Sequence, residues 1–226
     1  MKLLLIAAIL LLGPLEIATA QPTKPIQRGE YAYLEIMHER QSPDLCLPTC
    51  VAMAMNYYGT AKSQWTVKRL SNEHKDLFSG TTLEEICQGI KPLGYTWDRW
   101  QWPGDSNGFL NAIHAVEQSL DNGKPVVLEI LQHVLPQQPN GNGLPGRRRF
   151  YRNRSHVMGV GHALLAFGYD TSSQELFVMD PAMDFPGKRY LSFDELRELW
   201  SRDDHYHALF TARLGEMPEG HLASAR

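Results

Sequence analysis

Apolar positions change their period near the middle of the chain. In the first half they recur at helical spacing. Between Cys46 and Tyr58 the residues Cys50, Val51, Ala54 and Tyr57 fall on one stripe. Pro48 lies in the first turn, where its missing N–H is harmless, and Gly59 follows as a stop. Thr66 to His74 reads as a second helix. Thr81 or Thr82 caps a third, with Glu84 and Glu85 in its first turn and Gly94 at its end. Asn107 to Leu120 is a fourth, closed by Asp121-Asn122-Gly123. Tyr31 to Met37 alternates as a strand does. In the second half, Pro125 to Leu131 is a continuous apolar run, the pattern of a buried strand. His162 to Tyr169 and Glu175 to Met179 read as strands around the polar turn Asp170-Thr171-Ser172-Ser173. Ser192 caps a short helix through Trp200, and Tyr206 to Leu214 is the last strand. Helices first and strands afterwards predict an α+β fold. No internal repeat and no sharp shift in composition divides it.

The first twenty residues stand apart. Lys2 precedes an unbroken apolar run from Leu3 to Leu12, Gly13 and Pro14 break it, and Ala18-Thr19-Ala20 supplies small residues. This is the pattern of a secretory signal peptide cleaved before Gln21. The run is too short to span a bilayer, which takes about 20 residues. The expected organisation is a signal peptide over 1–20, an arm and first strand over 21–37, one folded domain over 38–214 and a loose tail over 215–226. The mature protein is expected to be exported, periplasmic or secreted, with no membrane span. The 226 residues carry 22 Lys+Arg against 25 Asp+Glu, a net charge of −3. That near balance argues against nucleic acid as a partner.

Export bears on the three cysteines. An oxidising compartment favours disulfides, and three is an odd number, so at least one thiol is left over. Cys46 has the setting of a reactive thiol, because the start of a helix favours negative charge. His162 opens a strand after Gly161, and Asp180 ends the next strand after Val178 and Met179. Neighbouring strands can bring them together, the acid orienting the imidazole and the imidazole activating the thiol. Gln41, five residues before Cys46, can offer a side-chain N–H to a developing oxyanion, and the Cys46 backbone N–H can offer another. For Cys50 and Cys87 two readings stand: a disulfide that leaves Cys46 free, or two buried thiols.

The local wording is more specific. Gln41-Ser-Pro-Asp-Leu-Cys46-Leu-Pro-Thr-Cys-Val-Ala-Met53 runs into Asn56-Tyr-Tyr-Gly59. Gly161-His162-Ala-Leu-Leu-Ala-Phe-Gly168-Tyr-Asp170 and Phe177-Val-Met-Asp180-Pro181 follow much later. These segments resemble the bacteriocin-processing (double-glycine leader) peptidase family of the papain-like cysteine peptidase superfamily, in family order over residues 38 to 213. The resemblance implies a papain-like fold, with N-terminal helices packed on a C-terminal antiparallel sheet. It implies Cys46 as nucleophile, His162 as general base and acid, Asp180 as orienting acid and Gln41 as oxyanion donor. It also implies a peptide or protein substrate and no cofactor. Leu47 stands where the family has Gly, and a branched side chain there is expected to narrow the cleft or shift the loop.

Other readings remain open. Papain-like domains include acyltransferases and inactive peptide-binding forms. The Cys46–Cys50 pair, with His156 or His162 nearby, suits thiol–disulfide exchange or copper binding. Arg147, Arg148, Arg149 and Arg152, with Arg154 close behind, form a basic segment that can recruit an acidic peptide or simply face solvent. Trp97, Trp100 and Trp102 read as a packed, partly exposed strand rather than a carbohydrate platform.

Overall fold

The computed structural model of the chain describes residues 26–28, 30–71, 80–131, 161–184, 186–202 and 204–213. The expected signal peptide, the Arg147–Arg152 segment and the tail from Gly215 lie outside the described residues.

The helices follow from their sequences. Helix α1 (Cys46–Tyr57) is buried at every position from Leu47 to Met55. A helix apolar on all sides has no solvent face, so it becomes the centre of the core rather than an edge with one stripe. It ends at Gly59, in the left-handed region with φ 79°. Helix α2 (Gln64–Ser71) packs on α1. Helix α3 (Leu83–Gly89) packs on α2 and starts with a capping box. There the Glu85 N–H donates to the Thr82 hydroxyl and the Thr82 N–H donates to the Glu85 carboxylate. A short 3-10 turn over Lys91–Leu93 then ends on left-handed Gly94. Helix α4 (Ser106–Asp121) is capped by Asp105, which accepts from the Gly108 N–H. In α5 (Phe193–Trp200), Ser192 and Glu195 exchange the same reciprocal bonds as Thr82 and Glu85.

Among the described residues nine strands form one antiparallel sheet. They are β1 (Ile26–Arg28), β2 (Tyr31–Tyr33), β3 (Tyr95–Pro103), β4 (Val126–Leu131), β5 (Gly161–Asp170), β6 (Glu175–Met179), β7 (Lys188–Ser192), β8 (Ser201–Arg202) and β9 (His205–Arg213). The main order is β1-β2-β5-β4-β9-β3. Strand β5 is the hub. One edge is lined by β4 and then by β2, and the other by β6, which leads on to β7. A bulge between Ala166 and Gly168 interrupts the β5–β6 ladder. A side chain at Gly168 would run into the Ala32 carbonyl, the Tyr33 Cβ and the Phe177 ring, so β2 and β6 close around a bare backbone there. Helix α1 packs on β5, α4 crosses β3, β9 and β5, and α5 lies against β4 and β7.

The papain-like α+β architecture is the one the motifs imply. Several details differ, among them the start of α2 and the end of α3, at Gly89 rather than Gly94. Ile26–Arg28 is a strand paired with β2, because its backbone finds a ladder partner where a loose arm was expected. The strand from Tyr31 stops at Tyr33, and the chain runs on without regular secondary structure to Gln41. Strand β7 had no sequence signal, since Lys188-Arg189-Tyr190-Leu191 mixes charge with bulk. The Trp segment is β3. Trp97 is buried, while Trp100 and Trp102 pack on Phe210.

Candidate active site

Two strands of the sheet supply an acid–base pair. His162 is the second residue of β5, and Asp180 follows the last residue of β6. His162 Nε2 lies 2.8 Å from Asp180 Oδ1. Both residues are buried, with His162 5% and Asp180 2% exposed. The Ala182 N–H also donates to Oδ1, at 2.9 Å, and Arg189 Nε–H donates to Oδ2 at 2.8 Å. Arg189 reaches Asp180 because it faces Val178 in the β6–β7 register, and Asp180 is two residues beyond Val178 on the same side. The main chain is held as well. The Asp180 N–H donates to the Gly187 carbonyl at 2.8 Å, and the Asp180 carbonyl lies 3.1 Å from His38 Nε2.

The opposite half comes from a turn and a helix start. Cys46 is the first residue of α1, and no side chain caps that helix. Its leading N–H groups therefore bear on the thiol. The turn before it contains Asp44 with φ 60°, a left-handed conformation for a non-glycine residue. Gln64 holds this turn from below. Its Oε1 accepts from the Ser42 N–H at 2.7 Å and from Thr49 Oγ1 at 3.1 Å. Its Nε2 donates to Glu39 Oε1 and to the Arg40 carbonyl, each at 3.0 Å. The Gln41 N–H donates to the Pro181 carbonyl at 2.8 Å, which joins the turn to the Asp180 side. Gln41 Oε1 is buried and accepts no hydrogen bond among the described residues.

The charges are coupled. Burial works against a Cys46 thiolate, but the hydrogen bond and charge of His162, with the backbone N–H groups of Ala163 and Leu47, outweigh it. The thiol therefore sits below its ordinary value. Burial likewise disfavours charge on His162, yet its bonds to Asp180 and Cys46 push its pKa up to about 9. Burial opposes ionisation of Asp180 too, and His162, Arg189 and the Ala182 N–H together hold its carboxyl below the ordinary value. Since Nε2 of His162 is taken by Asp180, Nδ1 is the ring nitrogen left for the thiol. The arrangement suits a thiolate–imidazolium pair ready to attack a carbonyl.

The structure brings Cys46, His162 and Asp180 together and sets Gln41 beside the Asp180–Pro181 turn. It does not join Cys50 to Cys87: all three cysteines are free thiols. The two occupy different surroundings. Cys50 is buried near Cys46 and Asp180, whereas Cys87 lies on α3 near Glu84, Asp98 and Arg99. Burial pushes the Cys50 thiol well up and the Cys87 thiol to about 11. Leu47 is 5% exposed and packs within the core cluster. Among the described residues no group of three or more His, Cys, Asp or Glu is arranged to hold a metal ion. Nor is any described helix long and apolar enough to cross a membrane. Sequence reasoning missed Arg189, Gln64 and His38. Gln64 lies before the helix expected from Thr66, so no local pattern marked it.

Solved structures share this architecture. A cysteine protease of Xylella fastidiosa, xylellain, aligns with a TM-score of 0.52 at 12% identity, over 79% of this chain and 83% of its own. A protein classed as a C39-like peptidase from Bacillus anthracis gives 0.51 at 16%, over 79% and 98%. A double glycine motif protease from an AMS/PCAT transporter, in complex with the leader peptide, gives 0.50 at 13%, over 84% and 99%. No curated protein matches the sequence. Residues 33–207 match the Peptidase_C39 like family. That match spans well over half of the chain, so the protein belongs to this family and is a cysteine-type peptidase.

Proposed function

We propose that this peptidase acts outside the cytoplasm and hydrolyses peptide bonds through Cys46, His162 and Asp180, by way of a thioester. The Cys46 thiolate attacks the scissile carbonyl carbon. The oxyanion that forms takes hydrogen bonds from the Gln41 amide and the Cys46 N–H. His162 gives its Nδ1 proton to the leaving amine as the C–N bond breaks, which leaves an acyl thioester on Cys46. The neutral imidazole then takes a proton from water, hydroxide adds to the thioester, and the thiolate departs with the acid product freed. Asp180 keeps the imidazole in one orientation and stabilises its charge.

The observation that carries this reading is the His162–Asp180 bond of 2.8 Å in a site where the thiol is lowered and the imidazole raised. The thiol-exchange and copper readings fare worse. Both need a second accessible thiolate, and burial keeps Cys50 protonated. Iodoacetamide labelling of Cys46 tests the proposal. Wild type should label at mildly acidic pH, and His162→Ala should slow that labelling. A thiol no faster than free cysteine, indifferent to His162, would rule the mechanism out. A peptide-library screen comparing wild type with Cys46→Ala identifies the substrate. The exported reading rests on the N-terminal apolar run, and a mature N-terminus at Gln21, found by mass spectrometry, is its test.

A further inference from the structure

An orienting acid needs one hydrogen bond to its histidine, and Asp180 has more. Oδ1 serves His162 and the Ala182 N–H, while Oδ2 receives Arg189 from a separate strand. The Arg189 and Asp180 side chains are only 5% and 3% exposed. Four ionisable groups thus stand in line from α1 to β7: Cys46, His162, Asp180 and Arg189. With thiolate, imidazolium, carboxylate and guanidinium all charged, their sum is zero. The first three alone carry one uncompensated negative charge in a buried place, and that excess acts directly against the thiolate. Other polar groups facing this line do not replace the guanidinium. The His38 ring meets the Asp180 carbonyl rather than its carboxylate. Cys50 stays a neutral thiol beneath Cys46. The Arg40–Asp184 pair is exposed at the rim.

We propose that Arg189 is a positioning residue of this peptidase, acting through Asp180. Its guanidinium fixes the plane of the carboxylate that orients His162, and it supplies the fourth charge that lets a thiolate and a carboxylate share one buried site. The inference rests on the Cys46–His162–Asp180 reading. Arginine suits the task because it stays charged at every working pH and donates in a rigid planar fork. If Arg189 is lost, two responses are open. A still-ionised Asp180 repels the thiolate. A protonated Asp180 withdraws support from the imidazolium, and with it the attraction that holds the thiolate. Both raise the pH at which Cys46 ionises, so the sign of the effect does not depend on which occurs.

The test is the pH profile of Cys46 alkylation by iodoacetamide in wild type and in Arg189→Met, Arg189→Gln and Arg189→Lys, with near-UV circular dichroism confirming folding. Gln stands in if Met fails to fold, since a neutral amide still donates to Oδ2. The Met and Gln variants should shift the acid limb upward by about one pH unit, or about tenfold slower labelling on that limb. Lys, which keeps the charge, should restore more than half of the shift. A folded Gln variant on the wild-type profile would overturn the proposal, and so would a Lys variant displaced as far as Gln. His162→Ala separates the two layers. If it labels like wild type, the triad reading itself falls. If it is slow while the Arg189 variants are normal, only the role of Arg189 falls.

Discussion

His162, Asp180 and Arg189 stand on or beside neighbouring strands, where ladder hydrogen bonds and paired charges fix them from several directions. Gln41 and Cys46 flank a turn that contains the left-handed Asp44 and is held by hydrogen bonds from Gln64 and by a backbone bond from Gln41 to Pro181. The first region locates its groups through the global fold. The second does so through local contacts that a few substitutions can remove. Proton transfer needs a fixed imidazole, whereas the wall that receives substrate can tolerate adjustment. The contrast predicts that changes on the sheet side act on chemistry, while changes on the turn side act on geometry and stability.

The sharpest break comes from Asp180→Asn. The asparagine keeps the shape but removes the negative charge behind His162, so the imidazolium loses its partner. Turnover should fall about 10³-fold or more with little change in KM. A fall below tenfold would mean that the strand-held pair is not the engine of the reaction. Gln41→Ala probes the other wall. Loss of one oxyanion donor should lower kcat about 100-fold, equivalent to about 3 kcal/mol of barrier. Cys46 alkylation should stay normal, because no tetrahedral oxyanion forms in that reaction. A parallel loss of alkylation would show that the turn also places the thiol.

The pH profile sharpens the same contrast. In the proposed mechanism the active form pairs thiolate with imidazolium, so activity should drop when acid protonates Cys46 and again when His162 loses its proton. The lowered thiol puts the acid limb below the ordinary thiol value, and the alkaline limb should lie near 9. Beyond that limb the rate should fall tenfold per pH unit. Asp180 is lowered relative to its ordinary 3.8, so its pairing contributes stability above that pH and loses it progressively as the pH falls further. Thermal melts between pH 2 and 7 check this sign.

The two regions were unequally legible in the sequence. The strands that carry His162 and Asp180 announced themselves as apolar runs with polar turns, and the motifs on them implied the proposed roles. The capping residues Thr82 and Ser192 were visible because caps are local. Arg189 was not, because a charged residue in a short mixed strand reads as surface until its register against Val178 is known. Gln64 was hidden for the same reason: its partners at Glu39, Arg40 and Ser42 lie more than twenty residues away. The sequence left the pairing of Cys50 and Cys87 open because spacing along the chain says nothing about which neighbours each thiol meets; both are free thiols in the structure. Local rules reach caps, turns and periodicity, but not contacts set by sheet register.

Gly187→Ala tests the joint between the two regions. Gly187 has φ 62°, and an added Cβ would strike the His38 ring, which itself meets the Asp180 carbonyl. The left-handed backbone alone should cost about 1–2 kcal/mol, and the displaced ring adds to it. A lower melting temperature with a smaller loss of kcat than in Asp180→Asn is expected. Unchanged stability would mean that the 180–187 turn is not clamped to the 38–41 segment.

The smallest effect is expected from an ion pair that bridges both regions at the surface. Arg40 and Asp184 are 2.8 Å apart, but their side chains are 70% and 74% exposed. Solvent screens such a pair, and ordering two side chains offsets most of the attraction, so it should contribute about 0.2–1 kcal/mol. Arg40→Ala should therefore leave kcat within twofold, with any stability change vanishing at high salt. Its backbone carbonyl, which accepts from Gln64, is untouched by the substitution. A tenfold loss of activity in this variant would move the joint from the buried His38 and Gln41 contacts to the exposed rim, and the turn would then be held by charge rather than by its hydrogen bonds.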